Sequence, residues 1–157
     1  MNFSDFMCVD ALVPDLKAAS RDGAIAELVQ ALAAASVLSA SACKEVTNAV
    51  IKRENEASTG LGKGVAVPHV KHKSVKKVTA TIGRSSVGID FRSLDKQPVY
   101  SIILIVSPVD SPEVHLQAME KVFMHLQREN FRKFLRQSQT ARQIQDLLNE
   151  ADANAAM

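Results

Sequence analysis

The chain has 157 residues, with nineteen Lys and Arg against seventeen Asp and Glu for a net charge of +2, and it is 46% hydrophobic, 23% charged and 4% aromatic. That length suits one domain able to hide about 68–70% of its unfolded surface, and the balance excludes disordered, collagen-like and coiled-coil classes. So small a charge, with no basic stripe interleaved with aromatics, argues against nucleic-acid binding, and Cys8 and Cys43 have neither CxxC spacing nor the density of a disulfide scaffold.

The first residues, MNFSDFMCVDALVPDL, carry acids where a signal peptide carries cations, and no apolar run approaches the roughly 18 residues that span a bilayer. The expectation is a cytoplasmic protein without membrane insertion. Ser20 is placed to cap a first helix whose Ile25, Leu28, Val29 and Leu32 share a stripe. A second helix is expected from Ser41 to Arg53, with Val46, Ala49 and Val50 inward, ending where NEASTGLGKG turns to loop chemistry.

Beyond the glycines the period becomes two. VAVPH reads as a short extended piece, VTATIG as a strand, GIDF at 88–91 as another, and VYSIILIV at 99–106 as a strand apolar on both faces and covered on both. Helical spacing returns after Ser111 with Leu116, Met119, Val122, Phe123 and Leu126, then Phe131, Phe134 and Leu135, then Ile144, Leu147 and Leu148 behind a Thr140-x-x-Gln143 capping box. The chain therefore reads as an α/β sandwich around one sheet: residues 1–150 form a single domain, and 151–157 a flexible tail.

Chemistry gathers at STGLGKGVAVPH, residues 58–69. Gly60, Gly62 and Gly64 permit positive φ and close approach of an anion, but Val65 and Ala66 stand where a P-loop has Lys and Ser/Thr. Pro68 stiffens the backbone leading into His69. A largely neutral imidazole offers a lone pair to phosphorus, and Arg53 is a cation able to hold phosphate oxygens in a bidentate fork.

The stretch RENEASTGLGKGVAVPH, Arg53 to His69, resembles the phosphorylation-site signature of enzyme IIA of the bacterial sugar phosphotransferase system, fructose/mannitol class, which includes nitrogen-regulatory relatives. GIDFRSLDKQPV at 88–99, the apolar strand after it and His115-Leu116 follow in the family's order, so the resemblance covers nearly the whole chain. It implies a mixed β-sheet flanked by helices on both faces, His69 as phosphohistidine, His115 beside it, and Arg53 assisting. Ser58, Thr59, Gly60, Gly62 and Gly64 are the expected loop around the phosphoryl group. The implied donor is the carrier protein HPr and the implied receiver an enzyme IIB, so no metal or cofactor is required. Many relatives have glycine after the histidine, whereas here Val70-Lys71-His72 follows, within the lysine-rich KHKSVKK that could steer an acidic partner.

Two other readings stand beside this one. A regulatory IIA would use its phosphorylation state to control binding to other proteins. More remotely, His69-x-x-His72 with His115 would be a metal-binding or hydrolase site, although no acidic residue sits at ligand spacing in that stretch. His125, ten residues past His115 on the same helix, lies some 15 Å along it and is expected to serve packing or the surface.

Overall fold

The computed structural model describes residues 1–154. Helix α1, Arg21–Ala34, starts where expected: Ser20 is extended and its side chain accepts from the Gly23 amide at 3.1 Å, while Ile25, Leu28, Val29 and Leu32 are buried. Helix α2, Cys43–Glu56, is displaced relative to the expected Ser41 to Arg53, because a 3-10 turn over Ala40–Ala42 precedes it and its last turn continues past Arg53. Val46 and Val50 are buried as expected; Ala49 is only half-buried.

Strands β1, Gly60–Gly62, and β2, Val65–Ala66, form an antiparallel hairpin. Pro68 separates β2 from β3, His69–Lys71, yet both run parallel to β5, Val99–Ser107. A proline lacks the amide that would continue the ladder, so the strand is interrupted there and resumes one residue later. On the other side of β5 lies antiparallel β4, Thr79–Ile89, which makes the five-stranded sheet mixed. VTATIG from Thr79 on and the first half of GIDF are thus one strand with an irregular register between Arg84 and Ile89, while Val78 precedes it and Asp90 and Phe91 leave it as loop.

Alternation along β5 explains its two apolar faces. Ile102, Leu104 and Val106 enter the core under α1 and α2, whereas Ile103 and Ile105 enter the core under the C-terminal helices. Burying each such side chain contributes about 1.5–3 kcal/mol. Those helices are α3, Pro112–Leu126, α4, Glu129–Gln137, and α5, Ala141–Asn154. The capping box of α5 is formed, with Gln143 N on Thr140 Oγ1 at 3.1 Å and Thr140 N on Gln143 Oε1 at 3.3 Å. Leu116 and Phe134, placed inward by spacing, are instead exposed, so the buried stripe of α3 begins with Ala118 and Met119.

The expected tail needs correction from 151 to 154. Helix α5 continues through these positions, Ala151 is buried, and the Asp152 carboxylate accepts from the amides of Phe3 and Ser4 at 2.7 and 3.0 Å. Buried Lys121 stands 3.7 Å from the same carboxylate. The remainder of that tail, 155–157, lies outside the described residues. The N-terminal segment is drawn onto the sheet as well, through parallel bridges Met7 to Ala80 and Val13 to Gly83. No described helix is long and apolar enough to cross a membrane.

Candidate functional site

His69 opens β3 directly after Pro68, whose carbonyl accepts from Ile105 N at 3.0 Å and so fixes the backbone. Its Nδ1 lies 2.8 Å from the Val67 carbonyl oxygen. A carbonyl only accepts, so Nδ1 carries the proton and Nε2 is left with a free lone pair. Burial is the main cause that lowers the His69 pKa below 6.5; the Val67 carbonyl opposes it, the Arg53 charge adds to it, Glu54 opposes and Lys71 adds. The half-buried imidazole is therefore neutral at neutral pH.

His115 reaches the same place from the first turn of α3. The two rings are 5.7 Å apart between centroids and inclined at 46°. His115 Nδ1 is 2.5 Å from Ser107 Oγ at the end of β5, and burial, followed by the charges of His69 and Lys71, lowers its pKa to about 4. A parallel strand and a helix packed on its face thus deliver two neutral imidazoles to one point.

Arg53 lies in the last turn of α2. One guanidinium nitrogen, Nη1, donates to the Ala57 carbonyl at 3.1 Å, closing the helix end, while its charge acts on His69. The side chain thus closes the helix end and places a positive charge near the imidazole. Among the described residues Arg53 has no acidic ion-pair partner, which leaves donors for an anion.

The adjacent Glu54, not singled out by sequence reasoning, is 2% exposed, and its carboxylate receives both the amide and the hydroxyl of Thr59 at 2.6 Å. Thr59 in turn accepts from Val67 N at 3.2 Å, two residues before His69. Glu54 thereby ties the end of α2 to the histidine strand. Its spacing, four residues past Val50 and eight past Val46, continues the buried stripe of α2; residue type hides it, because a glutamate in an amphipathic helix normally faces water.

The expected phosphate loop divides in two. Ser58 donates to Phe91 O at 2.5 Å and accepts from Gly60 N at 3.0 Å, and Gly60 lies against Ser93, where a Cβ would come within 2.4 Å of Oγ. These contacts spend Ser58 and Gly60 on structure. Gly62, the last residue of β1, and Lys63 and Gly64 of the β1–β2 turn have φ of 91°, 59° and 80°. The Gly64 carbonyl accepts from Tyr100 and Ser101, whereas His69 pairs with Ile105, four residues on and about 13 Å away at 3.3 Å per residue. The structure does not bring Gly62 and Gly64 to His69; their positive φ is what the turn requires.

His72 points elsewhere too. Its Nδ1 accepts from Ser74 N at 3.0 Å and its Nε2 lies 3.7 Å from Glu45 of α2. Among the described residues no three His, Cys, Asp or Glu side chains are grouped to hold a metal. His125 is buried, Nδ1 on the Lys121 carbonyl at 3.0 Å and the ring against Phe3 and Phe131, so it serves packing. Lys71, Lys73, Lys76 and Lys77 are all exposed.

A two-faced α/β sandwich presenting a neutral, oriented histidine beside a second histidine and an arginine is the architecture of a phosphotransferase component. The chain belongs to the family described as phosphoenolpyruvate-dependent sugar phosphotransferase system, EIIA 2, whose model matches residues 6–151. It is 32% identical over 156 residues to a nitrogen regulatory protein of Bradyrhizobium diazoefficiens, a match covering 99% of this chain and 100% of that one. It is 31% identical over 153 residues to the PTS system fructose-specific EIIABC component of Bacillus subtilis, covering 97% of this chain but spanning only 24% of that protein. The crystal structure of nitrogen regulatory protein IIA-Ntr from Neisseria meningitidis superposes with a TM-score of 0.83 at 27% identity, covering 93% of this chain and 98% of that one.

Proposed function

We propose that this protein is a cytoplasmic phosphoryl carrier which accepts a phosphoryl group from phospho-HPr on Nε2 of His69 and passes it to an enzyme IIB. The single observation that carries this reading is the Nδ1–H bond to the Val67 carbonyl, which commits the nucleophilic lone pair to Nε2. The donor's P–N bond breaks with its electron pair returning to the donor nitrogen, while the Nε2 lone pair forms the new bond. His69 loses no proton, because Nδ1–H remains on Val67. The positive charge it gains is balanced by the phosphoryl group, which Arg53 and His115 flank. In the second half, a thiolate of the receiver attacks phosphorus and His69 leaves neutral.

A regulatory role, in which phosphorylation of His69 alters contacts with partner proteins, is favoured by the end-to-end match to a nitrogen regulatory protein. The chemistry at His69 is the same in both; only the receiver differs. The test is phosphotransfer from phosphoenolpyruvate through enzyme I and HPr, with the modified residue read by mass spectrometry that preserves phosphohistidine. Label on His69, lost in His69→Ala, is the expected result. Label retained in His69→Ala overturns the assignment. Onward loss of label to a purified IIB separates carrier from regulator.

A further inference from the structure

We infer that Ser107 is a positioning residue that sets the tautomer of His115, so that its Nε2–H faces the phosphoryl group as a donor. This rests on the carrier reading of His69.

Ser107 is the last residue of β5, and alternation puts it on the face of Ile103 and Ile105, the face that α3 covers. It is fully buried, and its backbone is held in the ladder opposite Lys71, its carbonyl accepting from His72 N at 2.8 Å. The hydroxyl's one hydrogen-bond partner among the described residues is His115 Nδ1, at 2.5 Å. Either Nδ1–H donates to Oγ or the hydroxyl donates to an unprotonated Nδ1. In the first arrangement the serine proton is buried with nowhere to go. In the second, every proton of the pair is used or directed at the site, and only spare lone pairs go unmatched, the less costly fault.

The second arrangement fixes His115 as the Nε2–H tautomer. His69 is fixed as the opposite one by Val67. Two adjacent neutral imidazoles are thus assigned opposite roles by their outer hydrogen bonds: His69 offers a lone pair and His115 offers a proton donor, without either ring being charged. Because burial keeps His115 from becoming imidazolium, its tautomer decides whether it can donate to a phosphoryl oxygen at all.

The experiment is long-range proton–nitrogen NMR of the unphosphorylated ¹⁵N-labelled protein at pH 7, alongside the initial rate of phosphate uptake on His69 from phospho-HPr. Wild type is expected to show His115 protonated on Nε2 and His69 on Nδ1. Ser107→Ala, which adds no volume, is expected to give a mixed His115 tautomer, unchanged His69 nitrogens, and uptake slowed about tenfold or more, as when one donor to a developing charge is compromised. Ser107→Thr, keeping the hydroxyl, restores both. A wild-type His115 protonated on Nδ1, or a Ser107→Ala spectrum like wild type, overturns the assignment. A shifted tautomer with an unchanged rate overturns the positioning role. A wild type that takes no phosphate fails the carrier reading instead, and the spectrum alone then decides the tautomer.

Discussion

His69 and His115 come from a strand and a helix 46 residues apart in sequence, yet their rings stand 5.7 Å apart, each with Nδ1 engaged away from the other: His69 by the Val67 carbonyl just before β3, His115 by the Ser107 hydroxyl at the end of β5. Both Nε2 atoms are therefore left for whatever enters between them. Pairing two imidazoles so closely is tolerable because both are neutral; burial is the main cause that keeps them so, and for His115 the neighbouring His69 adds to it.

That neutrality has a sign. The folded His115 pKa is lowered to about 4 from 6.5. Between these values the unfolded chain binds more protons than the folded one, so stability rises with pH across the window and is lost as pH falls from about 6.5 towards 4. His69, also lowered, acts in the same direction. Melting temperatures at pH 7, 5 and 4 are expected to fall more steeply for wild type than for His115→Gln. Parallel curves would show that His115 does not carry the effect. Phosphate uptake should also hold to a lower pH than an ordinary histidine allows, with its acid limb below 6.5.

Much of this was legible beforehand. Ser20, Thr140 and Gln143 cap helices through local hydrogen bonds that a sequence displays directly. The double apolar face of β5 is an alternation visible in VYSIILIV. His69, His115 and Arg53 came together through a resemblance covering nearly the whole chain; no spacing rule joins residues so far apart. What escaped was everything set by tertiary placement. Glu54 and Ser107 stand at buried positions of their helix and strand patterns, but their polar side chains give no sign of the partners that let them be buried. Gly62 and Gly64 signalled positive φ correctly, though not which end of the sheet needed it, whereas Gly60 is required by its close approach to Ser93. Asp152 lies in a polar segment whose order comes from the N-terminal amides 148 and 149 residues away.

Glu54 yields a stability prediction. Glu54→Ala leaves the Thr59 amide and hydroxyl buried without their acceptor, and losing such a partner costs about 1–3 kcal/mol. Glu54→Gln keeps one acceptor and should lose less. Urea denaturation monitored by circular dichroism checks both. If Glu54→Ala unfolds at the wild-type midpoint, the carboxylate does not anchor the strand.

The glycine turn separates backbone need from chemistry. Gly64→Ala places a Cβ at φ 80°, which costs on the order of 1 kcal/mol, while the residue lies far along the sheet from His69. The expected outcome is a lower melting temperature with phosphate uptake within about twofold of wild type. Uptake reduced tenfold or more at full folding would restore the glycines to a role at the phosphoryl group.

The exposed lysines bear on encounter rather than chemistry. Lys71 is close enough to act on both histidines, and Lys73 meets Glu45 only at 4.0 Å across an exposed surface, a contact worth little. Lys76 and Lys77, also exposed, continue the same charged stretch. A partner that presents acids here is drawn in by a field that salt screens over about 10 Å at 0.1 M. Replacing Lys71, Lys73, Lys76 and Lys77 together with Gln should slow association with such a partner and flatten its dependence on salt, while leaving the dissociation rate within about twofold. Stopped-flow association at several ionic strengths checks this. An unaltered slope would make the run a solvated loop, and a faster association would mean that the partner surface is basic and that these lysines oppose it.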